Sequence, residues 1–323
     1  MTRGIGWLAA IAAAFMFCAA AGVASAQTYP DRPVRIIVGY AAGGSVDITA
    51  RIIADKLSQR TGQRFYVDNR PGGGTMIASQ LFAKSPPDGY TLMLADIAHS
   101  ANPALYEQLP YDTERDFTPV VLVVFFPAVL AINQEVPAKN LKEFLAYAKT
   151  KDGQLNYSSA GVGGMNYLGS ELLKKQAGLN IVHVPFQSGG QATTALLGGF
   201  VQMLITTAPP IVAYREKVKL LAVSSDKRLE ALPNVPTFAE AGMPDFKVQL
   251  WQGLLAPAGT DKAIIEKLNH EFNAVLELPD VRKRMVELGG NIVGGTSEKF
   301  ATFVSDEIAK WKKVIPPDAR IKR

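Results

Sequence analysis

The sequence predicts an α/β protein built as two lobes, the second inserted into the first, with a cleft and a hinge between them. Three observations carry this. Apolar, β-rich runs alternate with helical periodicity along the chain. Two apolar extended stretches, Phe117 to Ile132 and Trp251 to Leu255, read as crossings between lobes, so the first lobe is discontinuous. The 323 residues, 48% of them apolar and 20% charged, suffice for two cores and exclude global disorder. Gly and Pro show no fixed period, which excludes a collagen-like chain.

The first 26 residues read as a secretory signal peptide. Arg3 supplies a positive start, Ile5 to Ala20 an apolar stretch, and Ala24-Ser25-Ala26 a small-residue cleavage signal before Gln27. The single cysteine, Cys18, leaves with this segment, and Phe15-Met16-Phe17 is too bulky for a lipoprotein signal. No disulfide framework and no cysteine-based zinc site are therefore expected. Beyond it no run of ~18 apolar residues occurs, so a soluble exported protein is expected. The formal charge of +5 favours anionic partners only weakly.

Element by element, Val34 to Tyr40 is a strand, followed by Gly43-Gly44-Ser45 and a helix carrying Ile48, Ile52, Ile53 and Leu57 up to Gly62. Phe65 to Val67 is the next strand, and Gly72-Gly73-Gly74 precedes a helix bearing Ile77, Ala78, Leu81 and Phe82. Pro86-Pro87-Asp88-Gly89 is a turn before the strand Tyr90 to Ala95. Pro127 argues against a helix over the first crossing. Asn140 and Glu143 form a capping box for the helix of Leu141, Phe144, Leu145 and Ala148. Strands then follow at Leu155 to Ser158, Ile181 to Val184, Met203 to Thr206 and Leu220 to Ser224, with helices starting near Gly164 and Gly190. Thr237 and Glu240 form another box, and Thr260 is the expected cap of a helix bearing Ile264, Leu268, Phe272 and Val275. Pro279 opens a short helix, and the last carries Phe300, Val304, Ile308, Trp311 and Ile315.

Catalytic patterns are absent. No serine stands in a G-x-S-x-G turn, the three His residues (His99, His183, His270) lack H-E-x-x-H spacing, and no G-x-x-x-x-G-K-[ST] loop occurs. His183 alternates with Val182 and Val184 and reads as structural; His270 falls on a charged helix. Gly161 to Asn166 begins like a dinucleotide fingerprint but ends in Asn166. Asp47 and Arg51, four apart, read as a surface ion pair.

Glycine-rich turns after strands and before helices are what the sequence does supply: Gly43-Gly44-Ser45, Ala160 to Gly164, and Ser188-Gly189-Gly190. Glycine lets the backbone approach a ligand, and the first N–H groups of a helix lack intrahelical partners. Together with the helix dipole they suit a carboxylate or phosphate. Tight turn geometry alone accounts for any one of them equally well.

At these residues the chain resembles the tripartite tricarboxylate transporter receptor family, the Bug-type periplasmic solute-binding proteins. The resemblance rests on Gly43-Gly44-Ser45-Val46-Asp47 with Arg51, Asn69-Arg70-Pro71-Gly72, Pro87 to Leu92, Asn102-Pro103, Tyr111-Asp112, Asp116 to Val120, Ser159 to Gly163, Val184-Pro185-Phe186, Leu197-Gly198-Gly199, Pro233 to Thr237, and Gly253 through Thr260. It implies a type II periplasmic-binding-protein fold: α/β, two lobes closing on a ligand cleft. It also implies a small organic carboxylate as ligand, no metal or organic cofactor, and membrane permease subunits as partners. Gly164 and Tyr167 stand where the family commonly has Ser and His, Phe186-Gln187-Ser188 where it has Y-K-G, and Gln202 where it has an acidic residue.

The expected organisation is thus a signal peptide at 1–26, lobe 1 at 27–124 with 252–323, and lobe 2 at 125–251. A periplasmic, monomeric, non-enzymatic receptor is expected, with no nucleic acid among its partners. Its expected ligand-binding residues are Gly43, Gly44, Ser45, Ala98 and Ser100 in lobe 1, and Ser158, Gly163, Gly164, Met165 and Thr206 in lobe 2. An exported enzyme using the same cleft, or a sensor feeding a signalling protein, are the alternatives.

Overall fold

Strand β1 (Val34–Val38) and helix α1 (Ser45–Thr61) open the chain, as the alternation predicts. The computed structural model describes residues 29–186, 188–315, 317 and 320–322. The expected signal peptide with Cys18, and Gln187, lie outside the described residues. β2 (Phe65–Asn69), α2 (Met76–Ala83) and β3 (Thr91–Asp96) follow, and β1 pairs in parallel with both β2 and β3. α1 buries Val46, Ala50, Ile53 and Leu57, a helical stripe against this sheet.

The stretch from Phe117 is one long strand, β4 (Phe117–Asn133). Up to Pro127 it pairs antiparallel with β9 (Gln249–Pro257), which in turn pairs with β3. From Ala128 onward its neighbours are β7 (Met203–Thr207) and β8 (Val218–Val223). Pro127, which has no N–H to donate, falls at this handover, where a missing donor is tolerated. The second sheet is completed by β5 (Asn156–Ser159) and β6 (Val182–Pro185), parallel to one another. The strand order β2-β1-β3-β9-β4-β7-β5-β6 makes one curled surface with two α/β lobes. Helices α4 (Leu141–Thr150), α5 (Met165–Ala177), α6 (Gly189–Leu197) and the short α7 (Ala208–Val212) lie between the strands of the second lobe. The chain then returns through β9 to α8 (Lys262–Leu276), α9 (Pro279–Glu287), β10 (Asn291–Ile292) and α10 (Ser297–Val314).

Three local expectations are revised. A helix, α3 (Ile97–Leu105), follows β3 directly. Eight of its nine residues are buried, the polar His99, Ser100 and Asn102 among them, so its polar positions do not mark a solvent face. Asp261, not Thr260, caps α8, because its carboxylate reaches the Ala263 N–H at 2.8 Å while the Thr260 hydroxyl turns back to the Pro257 carbonyl. The Thr237–Glu240 box forms, but it closes a turn rather than a helix. The Asn140–Glu143 box is present, with the Glu143 carboxylate accepting the Lys139 N–H.

Candidate functional site

Each helix start must find partners for its first N–H groups, and the way this chain does so is uneven. Side chains cap α3 (Asp96), α4 (Asn140), α6 (Ser188), α8 (Asp261) and α10 (Thr296). α7 and α9 carry proline within their first two positions. Among the described residues, that leaves three helices with neither device: α1 behind Gly44, α2 behind Thr75, and α5 behind Gly164. All three follow a glycine-rich turn. The third turn singled out from the sequence, Ser188 to Gly190, is not among them, since the Ser188 hydroxyl accepts the Gln191 N–H at 3.3 Å.

The first turn is organised from below by Asp47. Its buried carboxylate accepts the Gly43 N–H at 2.9 Å, the Asn69 amide at 2.9 Å and the Arg51 guanidinium. Burial works to raise its pKa, but these partners outweigh it and hold the carboxyl below the ordinary range. Asp47 is therefore the keystone of the turn as well as one half of the expected ion pair with the exposed Arg51. The left-handed backbone sits at Gly43 (φ +88), while Gly44 is extended (φ −79) and Ser45 is exposed as the first helical residue.

The second and third turns meet across the lobes. A Cβ on Gly74 would stand 3.1 Å from the Val162 carbonyl oxygen and 3.1 Å from the Tyr106 hydroxyl, so only glycine permits this approach. Asn102 on α3 donates to the Gly74 carbonyl at 3.0 Å and to the Tyr111 hydroxyl at 3.1 Å. Its Oδ1 is buried without a partner and faces Gly163, whose Cβ position lies 3.5 Å away. Thr75 Oγ1 is likewise buried and unpartnered. Thr75 is also the one non-glycine residue with positive φ (+71) among the described residues, an unfavourable conformation for a β-branched side chain. Farther along the same junction, Lys175 of α5 donates to the Lys313 and Val314 carbonyls at the end of α10.

Of the sequence-predicted residues, Gly163, Gly164 and Met165 lie at this junction, at the open start of α5. Ala98 and Ser100 lie on α3, fully buried; the Ala98 N–H goes to Asp96 at 3.1 Å and the Ser100 hydroxyl to the Ile97 carbonyl at 3.0 Å. The Ser158 hydroxyl bonds the Ala192 carbonyl at 2.9 Å, tying β5 to α6. Thr206 is a buried β7 residue opposite Val129. The polar groups of Ala98, Ser100 and Ser158 thus have partners inside the protein. Thr75 and Asn102 were missed, although Gly72-Gly73-Gly74 is as glycine-rich as the turns chosen. Gln202 accepts the Asn156 N–H at 2.9 Å, a structural bond between β7 and β5. Among the described residues no three His, Cys, Asp or Glu side chains cluster as a metal site, and no helix is long and apolar enough to cross a membrane.

The family model described as "Tripartite tricarboxylate transporter family receptor" matches residues 49–318. Protein BugT of Bordetella pertussis is 34% identical over 307 residues, covering 93% of this chain and 94% of that one. MatC from Rhodopseudomonas palustris, solved with bound malate, superposes with a TM-score of 0.81 at 35% identity, covering 89% of this chain and 100% of the other. An R. palustris protein solved with adipate gives a TM-score of 0.83 at 32% identity, covering 91% and 100%.

Proposed function

This chain belongs to the tripartite tricarboxylate transporter receptor family, and from that premise we propose that it captures a small organic carboxylate as its two lobes close and delivers it to membrane permease subunits. One observation carries the reading: the helices left without a side-chain cap or proline are those behind the glycine turns, two in lobe 1 and one in lobe 2. Their positive dipole ends and their first N–H groups, apart from that of Met76, which bonds the Gly73 carbonyl at 3.3 Å, favour a carboxylate without any cationic side chain. The meeting of Gly74 and Val162 supports capture between the lobes. The malate and adipate held by two similar proteins support the ligand class.

In this reading lobe 1 comprises 27–124 with 252–323 and lobe 2 comprises 125–251. The protein works as an exported periplasmic monomer, and main-chain capture requires no cofactor. The test is a thermal-shift screen with malate, adipate and other mono-, di- and tricarboxylates, followed by calorimetry. A stabilising shift with one of them is expected; a flat screen over the whole class refutes the reading.

One observation speaks for the enzymatic alternative. Ser159 Oγ lies 2.6 Å from His183 Nε2, a nucleophile–base distance that sequence spacing does not reveal. Ser159 has no exposed surface, however, and its oxygen is engaged by Gly161 as well. A substrate does not reach a hydroxyl so placed, and the receptor reading is favoured.

A further inference from the structure

The Ser159–His183 pair has no role in the capture described so far, yet it lies directly beneath the turn that starts α5. Ser159 ends β5. Its Oγ accepts the Gly161 N–H at 3.0 Å, contacts the Gly161 carbonyl oxygen at 3.2 Å and contacts His183 Nε2 at 2.6 Å. The hydroxyl therefore closes a small ring around Gly161 (φ +106), two residues before Gly163 and four before Met165, where the open helix starts.

His183 is itself held tightly. On β6 it stands opposite Tyr157 of β5, and the two rings stack at 4.9 Å and 24°. Tyr167 of α5 meets its edge at 5.0 Å. Tyr157 and Lys174 both bond the Glu171 carboxylate at 2.7 Å. The titratable and charged groups facing the imidazole are thus Tyr157 on β5 and Tyr167, Glu171 and Lys174 on α5. Glu171 and Lys174 act on the ring with opposite signs.

We propose that His183 is a positioning residue for the second half of the ligand site, acting through Ser159 on the Gly161–Gly164 turn and so on the aim of the first N–H groups of α5. Ser159 has a single proton and two acceptors within reach. With Nε2 unprotonated, the hydroxyl donates to the ring and accepts only from the Gly161 N–H. With Nε2 protonated, the ring donates to Oγ, and the hydroxyl proton turns to the Gly161 carbonyl. With the neutral ring's single proton on Nδ1, so that Nε2 accepts from Ser159, protonation of the ring selects how the turn is held. Burial lowers the His183 pKa from its ordinary 6.5, which agrees with a ring neutral at pH 7.

The consequence for ligand affinity rests on the carboxylate-capture reading; the coupling between ring and turn does not, and two measurements separate them. The first is an amide NMR titration of the mature chain from pH 8 to pH 5 without ligand. The Gly161, Gly163 and Gly164 signals are expected to move with the midpoint of the His183 ring protons, and to lose that movement in His183→Gln, whose amide can still bond Ser159. Glycine signals that ignore the ring, or that titrate equally in the Gln variant, overturn the proposal.

The second measurement is calorimetry with malate and adipate. His183→Phe keeps the ring stack but loses the bond to Ser159, so affinity should fall roughly three- to tenfold, the share of one hydrogen bond. His183→Gln should recover most of it. A folded Phe variant that binds as tightly as wild type overturns the positioning role. If wild type binds no carboxylate at all, the capture reading falls, and the amide titration alone decides the pair.

Discussion

Asp96 ends β3, caps α3, and is replaced by Asn in the most discriminating perturbation the structure suggests. Its carboxyl is buried, accepting the Tyr40 hydroxyl at 2.7 Å and the Ala98 N–H at 3.1 Å. Burial raises its pKa from 3.8 to about 6, and the two hydrogen bonds keep it from rising further. Because the folded pKa is the higher one, the folded state retains a proton between pH 3.8 and 6 that the unfolded chain has released. Stability therefore falls as pH rises through this window, and the full penalty applies above pH 6. At ~1.4 kcal/mol per pH unit, it amounts to about 3 kcal/mol. Asn can still cap Ala98 through Oδ1 and donate to the Tyr40 oxygen, so the substitution removes the charge and keeps the contacts. The Asn variant should be more stable than wild type by about 2–3 kcal/mol at pH 8 and nearly equal to it at pH 4.

His99 sharpens the test. Buried on α3, its pKa is lowered by desolvation from 6.5 to about 4, so stability is lost as pH falls between those values. In wild type this slope and that of Asp96 oppose each other between pH 4 and 6. In the Asn variant the His99 slope is unopposed, a loss of about 1.4 kcal/mol per pH unit on acidification, to which the lowered pKa of His183 adds in the same direction. Urea unfolding at pH 4, 6 and 8, followed by circular dichroism, measures this. An Asn variant whose stability difference from wild type is the same at pH 4 and pH 8 refutes the reasoning, since no charge would then be penalised.

The remaining predictions concern the turns. A Cβ added at Gly44 meets nothing closer than the Ala41 carbonyl oxygen at 3.8 Å and needs no unusual dihedral, so in Gly44→Val the fold should survive while carboxylate affinity measured by calorimetry drops. Gly74→Ala combines a positive φ (+62) with a Cβ 3.1 Å from Val162 O; it should destabilise by ~1 kcal/mol or more in urea and weaken ligand binding by holding the lobes apart. Ser158→Ala removes the bond to the Ala192 carbonyl and should lower stability by ~0.5–1.5 kcal/mol while leaving affinity unchanged. A loss of affinity at constant stability would return Ser158 to the ligand.

The positions at which this chain departs from the family pattern take on separate roles. Gln202 bonds the Asn156 N–H through its carbonyl oxygen, a contact that a carboxylate would also make. Tyr167 packs on the edge of His183, with burial pushing its pKa up to about 12, so it enters the site through the imidazole's surroundings rather than as a charge. Gly164 leaves the start of α5 without the hydroxyl cap that a serine at this position would offer. That change alone adds an open donor to the junction.

Much of this protein is determined by local sequence. Strand and helix periodicity, the Asn140–Glu143 box, proline at the start of α9 and the glycine turns each act within a few residues, and the structure reproduces them. The first crossing is likewise legible, because a long apolar run interrupted by Pro127 does not read as one continuous helix. What only the tertiary structure decides is where each polar group spends its hydrogen bond. Ser158 and Ser159 are adjacent and alike in sequence, yet one ties β5 to α6 and the other joins His183 to Gly161. Asp47 reads as half of an i, i+4 pair, but Asn69 arrives from the end of β2 to join Gly43 and Arg51 on its carboxylate. Helix α3 buries its polar residues along with its apolar ones, a condition created by β9 and α10 from more than a hundred residues away. Gly74 and Val162 are 88 positions apart, and their meeting depends on the curl of β4 and β9 bringing two lobes face to face. Pairwise chemistry of this kind is set by distance in space, which the order of residues along the chain does not encode locally.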